Sequence, residues 1–62
     1  MTIQISDPIT VKELAKVLRQ RPFRVVADLM ELNQMKFAGD QVDFETASKI
    51  AKKYGFQTKR QG

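Results

Sequence analysis

RPFRVVADLMELN, residues Arg21–Asn33, is the most apolar stretch of this 62-residue chain. Phe23, Val26, Ala27 and Met30 recur at i, i+3, i+4 and i+7, the spacing that aligns side chains on one helical face. Val25, Leu29 and Leu32 add a second, overlapping stripe. A surface helix needs only one stripe, so the pattern predicts a central, largely buried helix of about three turns, a scaffold rather than a site. Pro22 suits the first turn, where its missing N–H would have had no partner. Asn33 follows the last apolar position and tolerates the left-handed conformation that closes many helices.

Upstream, Thr10 followed by Glu13 matches a capping box, in which the hydroxyl takes a first-turn N–H and the carboxylate reaches back to the cap. Val11, Leu14, Ala15 and Leu18 then complete an i, i+3, i+4, i+7 set. This first helix is expected to end near Arg19–Arg21, because Pro22 restricts the residue before it. The short connection packs the two helices as a tight pair, in the manner of helix-turn-helix units. Ile9–Val11 is β-branched throughout and suits a short strand. Residues 1–7 read as a flexible, polar lead-in; Ile3 and Ile5 alternate with polar residues, as in an edge strand, before Pro8 interrupts.

Downstream, Met35, Phe37 and Val42 would face inward around a turn at Gly39-Asp40, with Gly39 supplying a positive φ. The prediction is a small β-hairpin, either a lid over the core or a wing that touches a partner with Lys36 at its flank. Asp43 then caps a third helix, with Glu45 in its first turn. Ala47, Ile50, Ala51 and Tyr54 make its inward stripe, extended by Phe44, and Gly55 stops it ahead of Phe56. Residues 57–62 are polar and basic, as at the start of a flexible linker. The fold expected is mainly α with a small β-hairpin: one compact three-helix domain over residues 8–56.

A chain of this size buries only about 60% of its unfolded surface, so nearly every apolar residue must join one core. It has no cysteine and no histidine, which removes disulfides, thiolate ligands and the usual nucleophile–base pairs and leaves no zinc site. No apolar run approaches the ~18 residues of a membrane span, so a soluble, cytoplasmic domain without membrane contact is expected. The carboxylates are scattered: Glu13 and Asp43 fall at caps, Asp40 in a turn, Asp28 and Glu31 on what reads as the solvated side of the second helix. No Gly-rich phosphate loop is present. Neither catalysis, a cofactor, a metal nor a small-molecule ligand is expected, and the chain is expected to be a monomer.

The net charge of +4, from 11 Lys+Arg against 7 Asp+Glu, suits an anionic partner but equally suits plain solubility. Lys49, Lys52 and Lys53 lie at i, i+3, i+4 on the third helix. Lys12, Lys16 and Arg19 form a second row on the first helix, at i, i+4, i+7. If the rows converge they present five or six cations to a phosphate backbone. The competing explanation is a solvated face, with Glu45 pairing Lys49 one turn along. Phe23, Phe37, Phe44 and Tyr54 fall on predicted inward faces, so nucleic-acid contact would be electrostatic, without base stacking.

The strings ITVKELAKVL, LMELNQM and VDFETASKIAKKYGF, in this order and spacing, resemble the small N-terminal domain of bacterial translation initiation factor two. Ile9–Leu14, Val25–Met35 and Val42–Tyr54 carry the likeness, which covers most of the chain from Pro8 to about Phe56. VKELA, LMEL and DFETA are specific together and weak singly. The family often has glycine where Asn33 stands, and a small polar cap where Arg21 precedes Pro22. The resemblance implies a three-helix domain with a short strand pair, winged-helix-like in architecture with a different topology. It also implies a parent GTPase that brings initiator tRNA to the small ribosomal subunit, in which this domain is an accessory contacting ribosome or RNA. The basic rows come from spacing, not from the resemblance. Two other functions remain open: a DNA-binding module using the helix pair and wing, and a protein-docking module with an exposed apolar patch around Val17 and Val25.

Overall fold

The computed structural model describes residues 1–61. Three helices, α1 (Val11–Val17), α2 (Pro22–Glu31) and α3 (Phe44–Lys53), carry two small strand pairs. β2 (Ile9–Thr10) pairs antiparallel with β3 (Gln41–Val42), placing Ile9 opposite Val42. β1 (Thr2–Ile5) pairs parallel with β4 (Gln57–Arg60), in the register Thr2 to Gln57 through Ile5 to Arg60. The sequence thus gives the expected helical domain with a small sheet component, differently wired.

The caps follow the local chemistry. Thr10 Oγ1 accepts the Glu13 N–H at 3.1 Å, and Asp43 Oδ1 accepts the Thr46 N–H at 2.8 Å. Arg21 precedes α2 with no side-chain cap bond, and Pro22 opens it. All three helices close the same way, on a left-handed residue: Arg19 (φ 58°), Asn33 (φ 63°) and Gly55 (φ 87°). Each such residue donates its N–H three positions back, and the next residue donates five back, as Gly55 to Lys52 (3.0 Å) and Phe56 to Ala51 (3.0 Å). Because Arg19 makes this turn, α1 ends at Val17, earlier than the stretch before Pro22 suggests.

The core joins Val11, Leu14, Ala15 and Leu18 of the α1 stripe to Ala47, Ile50 and Ala51 of α3, as their spacing requires. Ile5, Ile9 and Val42 complete it from the strands, and Val25 and Leu29 from α2.

Four expectations are corrected. The β-hairpin over residues 35–42 does not form. A turn does exist, closed by the Asp40 N–H on the Phe37 carbonyl (2.9 Å) and the Phe37 N–H on the Asp40 carboxylate (2.8 Å). Its arms, however, separate: Ala38 and Asp40 carbonyls take the Lys12 and Val11 N–H groups, each at 3.0 Å, while Val42 pairs with Ile9. Gly39 is not left-handed, and Met35 and Phe37 are exposed rather than inward. Second, the termini are not a lead-in and a linker: Thr2–Ile5 and Gln57–Arg60 are the two paired strands, with Ile5 in the core and β4 lying on α3. Gly62 of the expected linker lies outside the described residues. Third, α2 is central but not largely buried. Its Val25–Leu29 side enters the core, whereas Phe23, Ala27 and Met30 face outward. Fourth, Asp28 lies on the buried side, 6% exposed.

Asp7 ties the N-terminal segment to the rest. Its Oδ1 accepts the Phe44 N–H at 3.1 Å, and Oδ2 meets Arg60 Nε at 3.2 Å. The Arg60 guanidinium in turn lies over the Phe44 ring, 4.6 Å from its centroid.

Candidate nucleic-acid interface

α3 sets the positions of the three lysines singled out from spacing. Its inward stripe fixes the helix rotation, and Lys49 and Lys52 stand exposed on the side next to β4. There they line a groove of about 380 Å³ together with Ser48, Phe56, Gln57 and Thr58. A short hydrogen bond between the Ser48 and Thr58 hydroxyls holds its floor.

Lys53 is separated from the other two by its partners. Its ammonium lies 2.5 Å from Asp28 Oδ1 and 3.3 Å from Glu31 Oε1, so it bridges α3 to α2. The Tyr54 hydroxyl donates to the other Asp28 oxygen. Hydrogen bonds from Lys53 to Asp28 and then Glu31 push the lysine's pKa above its ordinary value. Tyr54 is raised as well, by burial first and by the Asp28 carboxylate second, with Arg24 acting in the opposite sense. Asp28 and Glu31 are therefore not a solvated pair. They anchor Lys53, whose charge belongs to the fold.

Lys12, Lys16 and Arg19 are all exposed on α1. Arg19 also serves as the left-handed residue that ends this helix. The two rows stay on separate helices, each of which packs on α2. Among the described residues the ion pairs are those of Lys53 with Asp28 and Glu31, and of Arg60 with Asp7. The expected Glu45–Lys49 pair does not form, and among the described residues Lys49, Lys52, Lys12, Lys16 and Arg19 have no carboxylate within ion-pair distance. The apolar patch expected around Val17 and Val25 is absent, since Val25 is fully buried and Val17 packs against the core. Exposed apolar surface lies instead at Phe23, Met30, Met35 and Phe37.

Sequence reasoning placed Tyr54 on the inward stripe, as found, but missed Asp28 and the bond between the two. A signal was present: Asp28 shares the i, i+3, i+4, i+7 stripe of Val25, Leu29 and Leu32, where a carboxylate must find a partner.

These features define a small, basic helical module. Residues 6–57 match the family described as Translation initiation factor IF-2, N-terminal region, and the chain belongs to that family. It is similar to the translation initiation factor IF-2 of Caldanaerobacter subterraneus subsp. tengcongensis, with 44% identity over 54 residues, 87% of this chain and 8% of that protein. For the same factor of Desulforamulus reducens the identity is 43% over 56 residues, 90% of this chain and 6% of the relative. For that of Brucella ovis it is 36% over 58 residues, 94% of this chain and 6% of the relative. The chain thus spans less than a tenth of the length of these relatives. No helix among the described residues is long and apolar enough to cross a membrane.

Proposed function

We propose that this domain is a non-catalytic accessory module of a translation initiation factor, contacting RNA of the small ribosomal subunit through exposed cations. In this reading Lys49 and Lys52 form the main contact on α3, with Lys12, Lys16 and Arg19 as a second one on α1. Lys53 contributes through the fold that presents them. The parent factor would be the cytoplasmic GTPase that brings initiator tRNA to the subunit. One observation supports the reading above all: Lys49 and Lys52 stand exposed beside a groove, neither in an ion pair among the described residues. Exposed cations of this kind release counterions when they meet phosphates, which gives salt-sensitive, sequence-tolerant affinity. The DNA-binding alternative keeps the packed helix pair α1–α2 but not the hairpin over residues 35–42 that would have been its wing.

The test is co-sedimentation with purified small ribosomal subunits at low and near-physiological salt, with duplex DNA as competitor. Lys49→Glu with Lys52→Glu leaves Asp28 and its partners intact. It should weaken binding and lower the slope of log affinity against log salt by roughly 2. Unchanged affinity and slope would remove these lysines from the contact, and full displacement by DNA would reduce it to generic polyanion binding.

A further inference from the structure

We infer that Phe23, with Arg21 and Arg24 on either side of it, is a stacking platform for a base of single-stranded RNA. The site is distinct from the α3 lysines and rests on the reading of this domain as an RNA-contacting module. Phe23 stands in the first turn of α2, where Val25 and Leu29 take the core-facing positions and leave Phe23 64% exposed. Both neighbouring arginines are exposed. Neither meets a carboxylate within ion-pair distance among the described residues, and the first turn of α2 carries no acidic residue. Nor is the ring covered by its own cations. The cation–π contact among the described residues is Arg60 over Phe44, a ring that packs on the core. Arg21 is uncommitted, whereas Arg24 also lies near enough to Tyr54 to act on its hydroxyl. An uncovered ring with exposed guanidiniums next to it in the chain is the chemistry that holds a single strand, the base stacking on the ring while a guanidinium takes a flanking phosphate.

Exposure alone does not single out Phe23, because Phe37 is 61% exposed. Its electrostatic setting differs. The Asp40 carboxylate sits on the Phe37 N–H at 2.8 Å. The adjacent Lys36 is half-buried and close enough to Asp43 to help lower that group's pKa. A phosphate would meet negative charge there. Phe37 is therefore the internal control, equally apolar on the surface and wrongly charged around it.

The experiment measures binding of a fluorescently labelled oligoadenylate RNA to the 62-residue chain by anisotropy at low salt. Phe23→Ala should weaken binding at least about 5-fold, and Phe37→Ala should leave it unchanged. Phe23→Leu, which keeps an apolar side chain without a π face, should weaken it like alanine. Phe23→Trp should restore it; the chain has no tryptophan of its own, so quenching of the new indole on binding reports stacking directly. Wild-type affinity for Phe23→Ala, full rescue by Phe23→Leu, or an equal loss in Phe37→Ala would each overturn the inference, the last two in favour of apolar docking. The Lys49→Glu, Lys52→Glu variant is measured alongside. If it loses affinity while Phe23→Ala does not, the platform fails and the α3 contact stands; if wild type does not bind this RNA, the platform fails outright and the subunit assay still decides the α3 contact.

Discussion

Asp28 concentrates more of the domain's electrostatics than any other carboxylate, and its removal gives the sharpest test of how the helices are held. The side chain is 7% exposed and receives Lys53 Nζ at 2.5 Å and the Tyr54 hydroxyl. A hydrogen bond to a charged group contributes about 1.5–3 kcal/mol, and the carboxylate's own desolvation offsets part of the two. On truncation to alanine the Lys53 ammonium is readily rehydrated, its side chain being 49% exposed. The half-buried Tyr54 hydroxyl loses its acceptor, at a cost of about 1 kcal/mol. The net expectation for Asp28→Ala is a loss of about 2 kcal/mol.

A domain of this length holds only about 3–9 kcal/mol in total, so the variant loses a large share of it. With an unfolding entropy near 2.1 cal/mol/K per residue, the midpoint should fall by roughly 15 °C. Asp28→Asn keeps the shape and one acceptor, and should lose about half as much. Urea titration followed by circular dichroism measures each value. Pairing Asp28→Ala with Tyr54→Phe in a double-mutant cycle should return a coupling of about 1 kcal/mol. An Asp28→Ala variant within about 0.5 kcal/mol of wild type, with additive behaviour in the cycle, would return Asp28 to the solvated face its charge suggested and refute the bridge between α2 and α3.

Two further outcomes concern the same fold. Lys53 and Tyr54 both have raised pKa values, the first from its carboxylate partners and the second from burial. Their contribution is complete below the unfolded values near 10 and is lost as pH rises through the folded ones. Asp43, lowered chiefly by its hydrogen bond with Thr46, contributes above about pH 3.9 and loses that contribution as pH falls through its folded value. Stability should therefore be flat between these limits and fall on both sides. Tyr54, the one tyrosine, should titrate in the near-ultraviolet above the free phenol, and a normal or lowered midpoint would contradict its placement. Arg19→Gly should stabilise the domain by about 1 kcal/mol, because glycine takes the left-handed φ of 58° without a Cβ penalty. Asn33→Gly should gain less, since asparagine tolerates that region, and a loss in either variant would argue against the shared helix ending.

What could be read from the sequence was the chemistry that acts within one turn. Thr10 and Asp43 cap, Pro22 opens α2, and Asn33 and Gly55 close their helices because each effect is settled by residues three to five positions away. What could not be read was pairing at a distance. Val42 finds Ile9, and Gln57–Arg60 finds Thr2–Ile5, across most of the chain. A local pattern holds no record of such partners, and a turn at residues 37–40 looked like a hairpin for that reason. α2 exposes a different limit. Helical period shows that two stripes exist, not that both are covered: α2 buries Val25 and Leu29 and leaves Phe23 and Met30 exposed. Asp28 marked the covered stripe only to a reader willing to place a carboxylate inside.

The division of charges bears directly on function. Asp28 and Glu31 hold Lys53, Asp7 holds Arg60 and the Phe44 N–H, Asp40 closes a turn, and Asp43 caps α3. Five of the seven carboxylates are thereby engaged in folding. The cations outnumber the acids, and those on the outer faces of α1 and α3 and at the start of α2 are in no ion pair among the described residues. A surface charge without a partner adds little to stability. Lys49→Gln with Lys52→Gln should therefore weaken binding at an almost unchanged unfolding midpoint. Reversal to Glu adds a like-charge pair with Glu45 and an acid in the last turn of α3, about 0.5 kcal/mol each, and reversing Lys53 would change both binding and midpoint. A ribosome-binding defect in the first variant at wild-type stability can be assigned to contact; the same defect in a Lys53 variant cannot.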